Sequence, residues 1–414
     1  MEQNNKNYMG PLFLIGILFF VFGFVTWVNG TLISFFKKAF NLSDTSSYLV
    51  TFAFFISYTI MAIPSSFVLK KVGFKKGMSL GLGIMAIGTL IFVPAAKMES
   101  YPLFLAGLFT IGIGLTLLQT ASNPYATILG PRESAAQRIS FMGIANKTAG
   151  IISQKVFGGI LLAGGSAAVA ATPTAHQLDK VVVPYLILTG VLIILAVLIQ
   201  LTKGLPEVSE EQEGSEVNTK NKEESVFAFP HLVLGLIALF CYVGVEVVAG
   251  DTIINYGSSL GFENAKDFGT YTLWAMMLGY ILGIFLIPKF VSQQTWLKLS
   301  AILGIIVSIL ALVTPGIYSV ICIAVLGLAN AIMWPAIWPL AIDNLGKHTK
   351  IASALLVMMI AGGAIIPLAY GALADAFKDP DKKYMGPQIA YAILIPLYLF
   401  ILYYATIGHK KKSW

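Results

Sequence analysis

The chain has 414 residues, 57% of them apolar and only 11% charged, with a mean hydropathy of +0.80. Soluble domains carry about a quarter charged residues, so this composition excludes an ordinary water-soluble enzyme, a disordered chain and a nucleic-acid binder. The net charge of +7 is spread in clusters of no more than three residues; in a membrane protein such an excess marks the cytoplasmic face.

Residues 1–10 hold one lysine and no short apolar core with a cleavage site, so no signal peptide is expected. A helix needs about 20 apolar residues to cross a bilayer. Twelve such runs follow, at 11–36, 48–69, 77–97, 101–129, 138–164, 182–202, 229–259, 267–290, 296–314, 317–342, 350–375 and 386–408. The one long connection, 203–228, is polar and rich in Glu, Lys and Ser. It predicts an N-terminal six-helix bundle over 1–202, a cytoplasmic central loop, and a C-terminal six-helix bundle over 229–414. With both termini inside, 17 Lys and Arg fall on the inner side and eight in outer loops, the balance the positive-inside rule favours. Lys37 and Lys38 run against it and read as snorkelling at the outer end of the first run.

Polar groups inside a bilayer are costly and need a partner or a function. In the first run, Thr26, Trp27, Asn29 and Gly30 interrupt the apolar sequence. Between the second and third runs, Lys70, Lys71, Lys75 and Lys76 form a basic turn. In the fourth, Thr116, Gln119 and Asn123 share one helical face. The fifth is the most polar, with Gly143, Asn146, Lys147, Gly150, Ser153 and Gln154 in a stripe. That stripe reads either as the wall of a solvated cavity or as interhelical hydrogen bonding. Lys147 lies too deep to snorkel, so it faces a cavity or pairs with a carboxylate, whereas Lys155 is near enough to the end to snorkel.

The seventh run places Tyr242 with Glu246, and Asp251 with Asn255, at spacings of four. Glu246 and Asp251 are candidates for transport or ion coupling; the bland reading of each is a structural ion pair with Lys147. The sequence Gly250-Asp251-Thr252 predicts a local break. The tenth run presents Asn330, Trp334 and Trp338 in register, suited to stacking on an apolar sugar face or simply to packing. Asp343, just past that run, reads as structural.

Weak internal similarity is a mark of transporter repeats. Ile63-Pro64 and Ile287-Pro288 close the second and eighth runs, and Gly150 with Gly158 in the fifth matches Gly363 with Gly371 in the eleventh. Asn123-Pro124 leads to Leu129-Gly130 as Trp338-Pro339 leads to Leu345-Gly346. These matches predict a pseudo-symmetric all-α membrane fold of six plus six helices with a site between its halves. No HExxH, GxSxG or phosphate loop occurs, and Cys241 and Cys322 lie in separate apolar runs, so no catalytic or metal constellation is expected.

The segments Phe22-Gly23-Phe24-Val25-Thr26-Trp27-Val28-Asn29-Gly30, Gln119-Thr120-Ala121-Ser122-Asn123-Pro124-Tyr125 and Tyr242-Val243-Gly244-Val245-Glu246 resemble the fucose–galactose–glucose permease branch of the major facilitator superfamily. The resemblance implies a monomeric sugar importer of the bacterial inner membrane, with a monosaccharide such as glucose or galactose as substrate, driven by Na⁺ or H⁺. No other cofactor is implied. The branch's fucose pattern has Asn-Asp where this chain has Asn29-Gly30, and Glu-Thr-Ala where it has Gln119-Thr120-Ala121. The acids have in effect moved to the seventh run, and a lysine has appeared at 147.

Asn29, Gln119, Asn123, Asn146, Glu246 and Asn330 are therefore expected to contact sugar hydroxyls, with Trp334 or Trp338 stacking. Glu246, with Asp251, is expected to couple transport to an ion, with Na⁺ near Glu246 one form of this. The basic turn at Lys70, Lys71, Lys75 and Lys76 falls where the superfamily has its cytoplasmic gating loop. Three alternatives stay open: Lys147 neutralises Glu246 and the protein is an uncoupled facilitator; the solute is anionic or another small polar molecule; or transport is outward.

Overall fold

The structure, a computed structural model, describes residues 9–128, 135–163, 174–202, 225–287 and 289–414. The first run forms two helices, α1 (Met9–Trp27) and α2 (Asn29–Ala39), separated at Val28. A single turn at Asp44–Ser47 leads into α3 (Leu49–Val72), α4 (Phe74–Lys97), α5 (Tyr101–Ile128), α6 (Ala135–Leu161) and α7 (Thr174–Leu201). The second half opens with α8 (Pro230–Asp251) and α9 (Ile253–Ser259), separated at Thr252. Then follow α10 (Phe268–Leu286), α11 (Gln293–Val313), α12 (Gly316–Asn330), α13 (Met333–Ala341), α14 (Thr349–Met358), α15 (Gly362–Ala376), α16 (Met385–Ala390) and α17 (Leu394–Thr406).

Among the described residues, eleven helical stretches are long and apolar enough to cross a membrane. The 27-residue α6 is as long as its neighbours, but Asn146, Lys147, Thr148, Ser153, Gln154 and Lys155 keep it out of that set. Its polar face turns towards protein, while Phe141, Ile152, Val156 and Ile160 stay exposed on the other side. The outward faces of other helices carry Phe67, Ile187, Ile194, Phe285 and Val313 exposed. Such a surface is untenable in water and suits hydrocarbon.

Inside the bundle, small residues bring helices together where burial from water gives no drive. Gly81 faces Gly114 and Gly88 faces Gly107 across α4 and α5, so that an added methyl at Gly81 would lie 2.7 Å from the Gly114 carbonyl oxygen. The halves join through two equivalent pairings, α6 on α10 and α15 on α3. The two pairings are related by the pseudo-symmetry of the helix packing. Gly150 packs on Trp27, while Gly363 packs on Phe55 and Gly371 on Tyr48.

The two halves are clasped at the end where α2 runs into α3. Asp375 of α15 accepts the backbone N–H groups of Asp44 and Thr45 at 2.9 and 2.8 Å, and the Thr45 hydroxyl at 2.6 Å. Asn255 donates to Asp44 at 2.9 Å, and Lys155 pairs with Asp267 at 2.6 Å. Tyr48, Tyr370, Tyr391 and Tyr256 form a contiguous buried plug beneath these contacts. The basic turn lies at the opposite end. There, Gly73, in a positive-φ conformation of +80° that favours glycine, joins α3 to α4, with Lys70, Lys71 and Lys76 exposed and Lys75 half-buried.

Three expectations change here. Lys37 and Lys155 do not snorkel free; they pair with Asp44 at 2.5 Å and Asp267. Asn255 partners Asp44 and not Asp251. The tenth run is broken between Asn330 and Met333, because Pro335 has no N–H to offer the Ala331 carbonyl and its ring crowds that turn. The segment 203–224 of the central loop lies outside the described residues.

Candidate functional site

Several of the polar residues that interrupt the apolar runs meet where α1, α6 and α8 come together. Lys147 of α6 reaches across to α8, where its Nζ lies 3.1 Å from Glu246 Oε1. The same ammonium sits 4.2 Å above the Trp27 ring, a cation–π contact of about 0.5–2 kcal/mol depending on desolvation. The pair is well shielded, with 7% of the Lys147 side chain and 13% of Glu246 exposed. An ion pair so placed persists only because each charge has the other, and loss of one leaves an uncompensated buried charge.

Trp27 is held rigidly for this role. Gly150 and Gly250 flank its indole so closely that a methyl on either would overlap the ring. Its Nε1 donates to Asn146 Oδ1 at 3.1 Å, and its carbonyl accepts from Gln154 Nε2 at 3.0 Å. Gly23, one turn earlier, lets α1 rest directly on the Asn146 backbone. The polar stripe of α6 therefore serves largely to fix α1, and Asn146 is engaged in that contact.

Around Glu246 stand Tyr242, which the spacing along the seventh run already sets beside it, and two tyrosines that the sequence does not single out. The Tyr242 hydroxyl, one turn back on α8, lies beside Glu246; Tyr280 and Tyr398 lie near it as well. Tyr280 packs on Gly143. The Tyr398 hydroxyl donates to Asn330 Oδ1 at 2.8 Å, leaving Asn330 Nδ2 without a partner. Trp334 and Trp338 stack on one another with centroids 5.3 Å apart, and Trp334 lies 6.3 Å from the Tyr242 ring. Both indoles are half-buried.

The remaining candidates are placed differently. Gln119 is half-buried and Asn123 exposed, both on α5, which packs chiefly on α3 and α4. Thr116 turns its hydroxyl back onto the Gly112 carbonyl of its own helix. Asn29 is fully buried, with neither side-chain polar atom partnered. Asp251 is 1% exposed, lies against Gly30, and has Oδ1 without a partner. Asp343 is exposed and pairs with Lys412 at 2.6 Å. An apolar groove of about 580 Å³ between α1 and α6, lined by Leu12, Phe13, Phe20 and Phe141, lies apart from this convergence. No grouping of three or more His, Cys, Asp or Glu suited to a metal occurs among the described residues.

The chain's sequence matches the profile of the Major Facilitator Superfamily over residues 15–368. It is 36% identical to a glucose/galactose transporter of Brucella abortus biovar 1 (strain 9-941), over 99% of this chain and 96% of that protein. It is 30% identical to the L-fucose-proton symporter of Escherichia coli (strain K12), over 94% of this chain and 92% of that one. Among solved structures it resembles FucP, a Major Facilitator Superfamily transporter crystallised in the outward conformation. That match has a TM-score of 0.67 at 27% identity, covering 96% of this chain and 99% of the other.

Proposed function

This chain belongs to the Major Facilitator Superfamily, whose members are multi-pass membrane transporters and not enzymes, and we propose that it imports a monosaccharide of the glucose/galactose kind. Twelve spans in two bundles, 1–202 and 229–414, flank the central loop, with both termini cytoplasmic. In that orientation the clasped end faces outward, and the open end, where Asn123 is exposed and Trp338 half-buried, faces the cytoplasm. Alternating access then consists of releasing the clasp and closing the other end by rocking the halves.

The observation that carries this reading is the Lys147–Glu246 pair between the halves, ringed by Trp27, Tyr242, Tyr280 and Asn330 with its tyrosine. It offers carboxylate, ammonium, hydroxyl and amide groups beside flat aromatic faces. That combination suits a polyol with one apolar face, and Trp334 or Trp338 supplies the stacking surface. Asn146, bonded to Trp27, and, further from the pair, Asn29, Gln119 and Asn123 complete the lining we propose. The exposed Lys70, Lys71 and Lys76, with Lys75, would form the gating turn at the cytoplasmic end. The relatives' printed substrates, glucose, galactose and fucose, support the class. An anionic solute fits less well, because the Lys147 charge is already taken by Glu246.

Coupling to Na⁺ or H⁺ through the buried carboxylates Glu246 and Asp251 is our first reading. An uncoupled facilitator is the second, favoured by the neutralisation of Glu246 by Lys147. The test is uptake of labelled glucose, galactose and fucose into proteoliposomes with an inward Na⁺ gradient, an inward H⁺ gradient, or none. Accumulation above equilibrium under one gradient establishes a symporter for that ion. Equal equilibration under all three conditions establishes the facilitator. Absence of uptake of every sugar refutes the substrate class.

A further inference from the structure

Asp251 is the buried acid that the Lys147–Glu246 pair leaves over. It ends α8 at the Thr252 interruption, 1% exposed, and faces α2 just past the matching interruption at Val28. The approach is backbone-close: an added methyl at Gly30 would lie 3.0 Å from Asp251 Cα and 3.2 Å from Oδ1. The Gly30 N–H faces the carboxyl group, while Oδ1 has no partner. The charged and titratable groups that bear on it are Glu246 on its own helix, Lys147 on α6 and Tyr48 on α3. None makes an ion pair with it among the described contacts, and Lys147 is already spent on Glu246. A bare carboxylate in such a place costs several kcal/mol.

We propose that Asp251 carries a transported proton, and that the clasped end closes only when it does. This rests on the symporter reading above. With the clasp open, α2 and α8 part and the carboxylate meets water, from which it takes one proton to form an O–H bond. Closing then buries a neutral acid against Gly30. The proton leaves towards the opposite end, where Glu246 lies five residues along α8, about 7.5 Å at 1.5 Å per residue, and is returned to water there. A proton fits the site where Na⁺ does not. A proton needs only the unpartnered Oδ1, whereas a sodium ion requires a shell of several oxygens.

The test uses the full-length transporter in liposomes with labelled glucose or galactose. In Asp251→Asn, accumulation driven by an inward H⁺ gradient is expected to be lost, while sugar counterflow at equal pH stays near the wild-type rate. Retained accumulation in Asp251→Asn, or accumulation driven by Na⁺ alike in both proteins, overturns the proposal. A second readout needs no sugar. Infrared difference spectra across a pH titration are expected to show a protonated-carboxyl band that Asp251→Asn removes and Glu246→Gln retains. Asp251→Glu shifts that band without removing it, and covers the case in which the Asn variant does not fold. If the band belongs to Glu246, the proposal fails. If the band behaves as expected but no sugar moves, the substrate class fails and the proton site stands.

Discussion

The Lys147–Glu246 pair makes a prediction that separates a coupled pair from two independent side chains. Lys147→Gln leaves Glu246 charged and nearly buried; Glu246→Gln does the same to Lys147, which keeps only its contact with Trp27 at 4.2 Å. Breaking a buried pair by removing one partner costs about 3–5 kcal/mol, much of it the desolvation of the charge left behind. In a chain of this size that corresponds to a fall on the order of 5 °C in the unfolding midpoint. The double variant Lys147→Gln/Glu246→Gln removes both charges and leaves two amides able to bond one another. It is expected to melt above either single variant. Thermal unfolding of the four proteins in the same lipid nanodiscs measures this directly. A double variant that loses as much as the two singles combined would show that the charges act separately, and the pairing argument would be wrong.

Two further outcomes follow from the clasp and from the surface. Asp375→Ala removes three hydrogen bonds from the contact with Asp44 and Thr45; since even one bond to a charged group is worth about 1.5–3 kcal/mol, the closed state loses at least roughly 10-fold in population. Hydrogen–deuterium exchange over residues 43–48 should rise accordingly, and unchanged exchange would refute the clasp. At the opposite end, the hydrogen bond and charge of Lys412 hold the Asp343 carboxyl below its ordinary range. A lowered folded-state value means that its contribution is present above the unfolded carboxylate value and is lost as pH falls through the folded one. Both side chains are half-exposed, so Lys412→Ala is expected to cost at most about 1 kcal/mol at neutral pH. That small difference should vanish in strongly acidic buffer, as thermal unfolding at the two pH values will check.

Much of this architecture is written in residue type and spacing. Runs of some 20 apolar residues can satisfy their backbone in lipid only as helices, so the spans follow almost without choice. Lys147 announces its need for a carboxylate because it lies too deep to reach water, and Glu246 is the acid at matching depth. Gly250-Asp251-Thr252 marks the interruption of the seventh run, although the chain bends there at one residue and does not unwind. Pro335 carried the signal for the break in the tenth run, which the regular spacing of Asn330, Trp334 and Trp338 masked. The clasp was not legible. No motif or spacing marks Asp44 or Asp375, and their meeting joins residues 331 positions apart. Tyr280 and Tyr398, near Glu246, were equally silent, since a tyrosine in an apolar run looks like packing until its hydroxyl finds a partner.

The polarity of α6 has a consequence for how the protein is made. The segment is too hydrophilic to enter a membrane readily by itself, and its lysine finds Glu246 only after 99 further residues have been synthesised. At about 5–20 residues per second, that is a wait of roughly 5–20 s. During it, Lys147 has only the Trp27 face of the already completed α1 to lean on. Insertion of this helix is thus tied to the arrival of the second half, and a truncation before α8 would strand a charged segment at the insertion machinery.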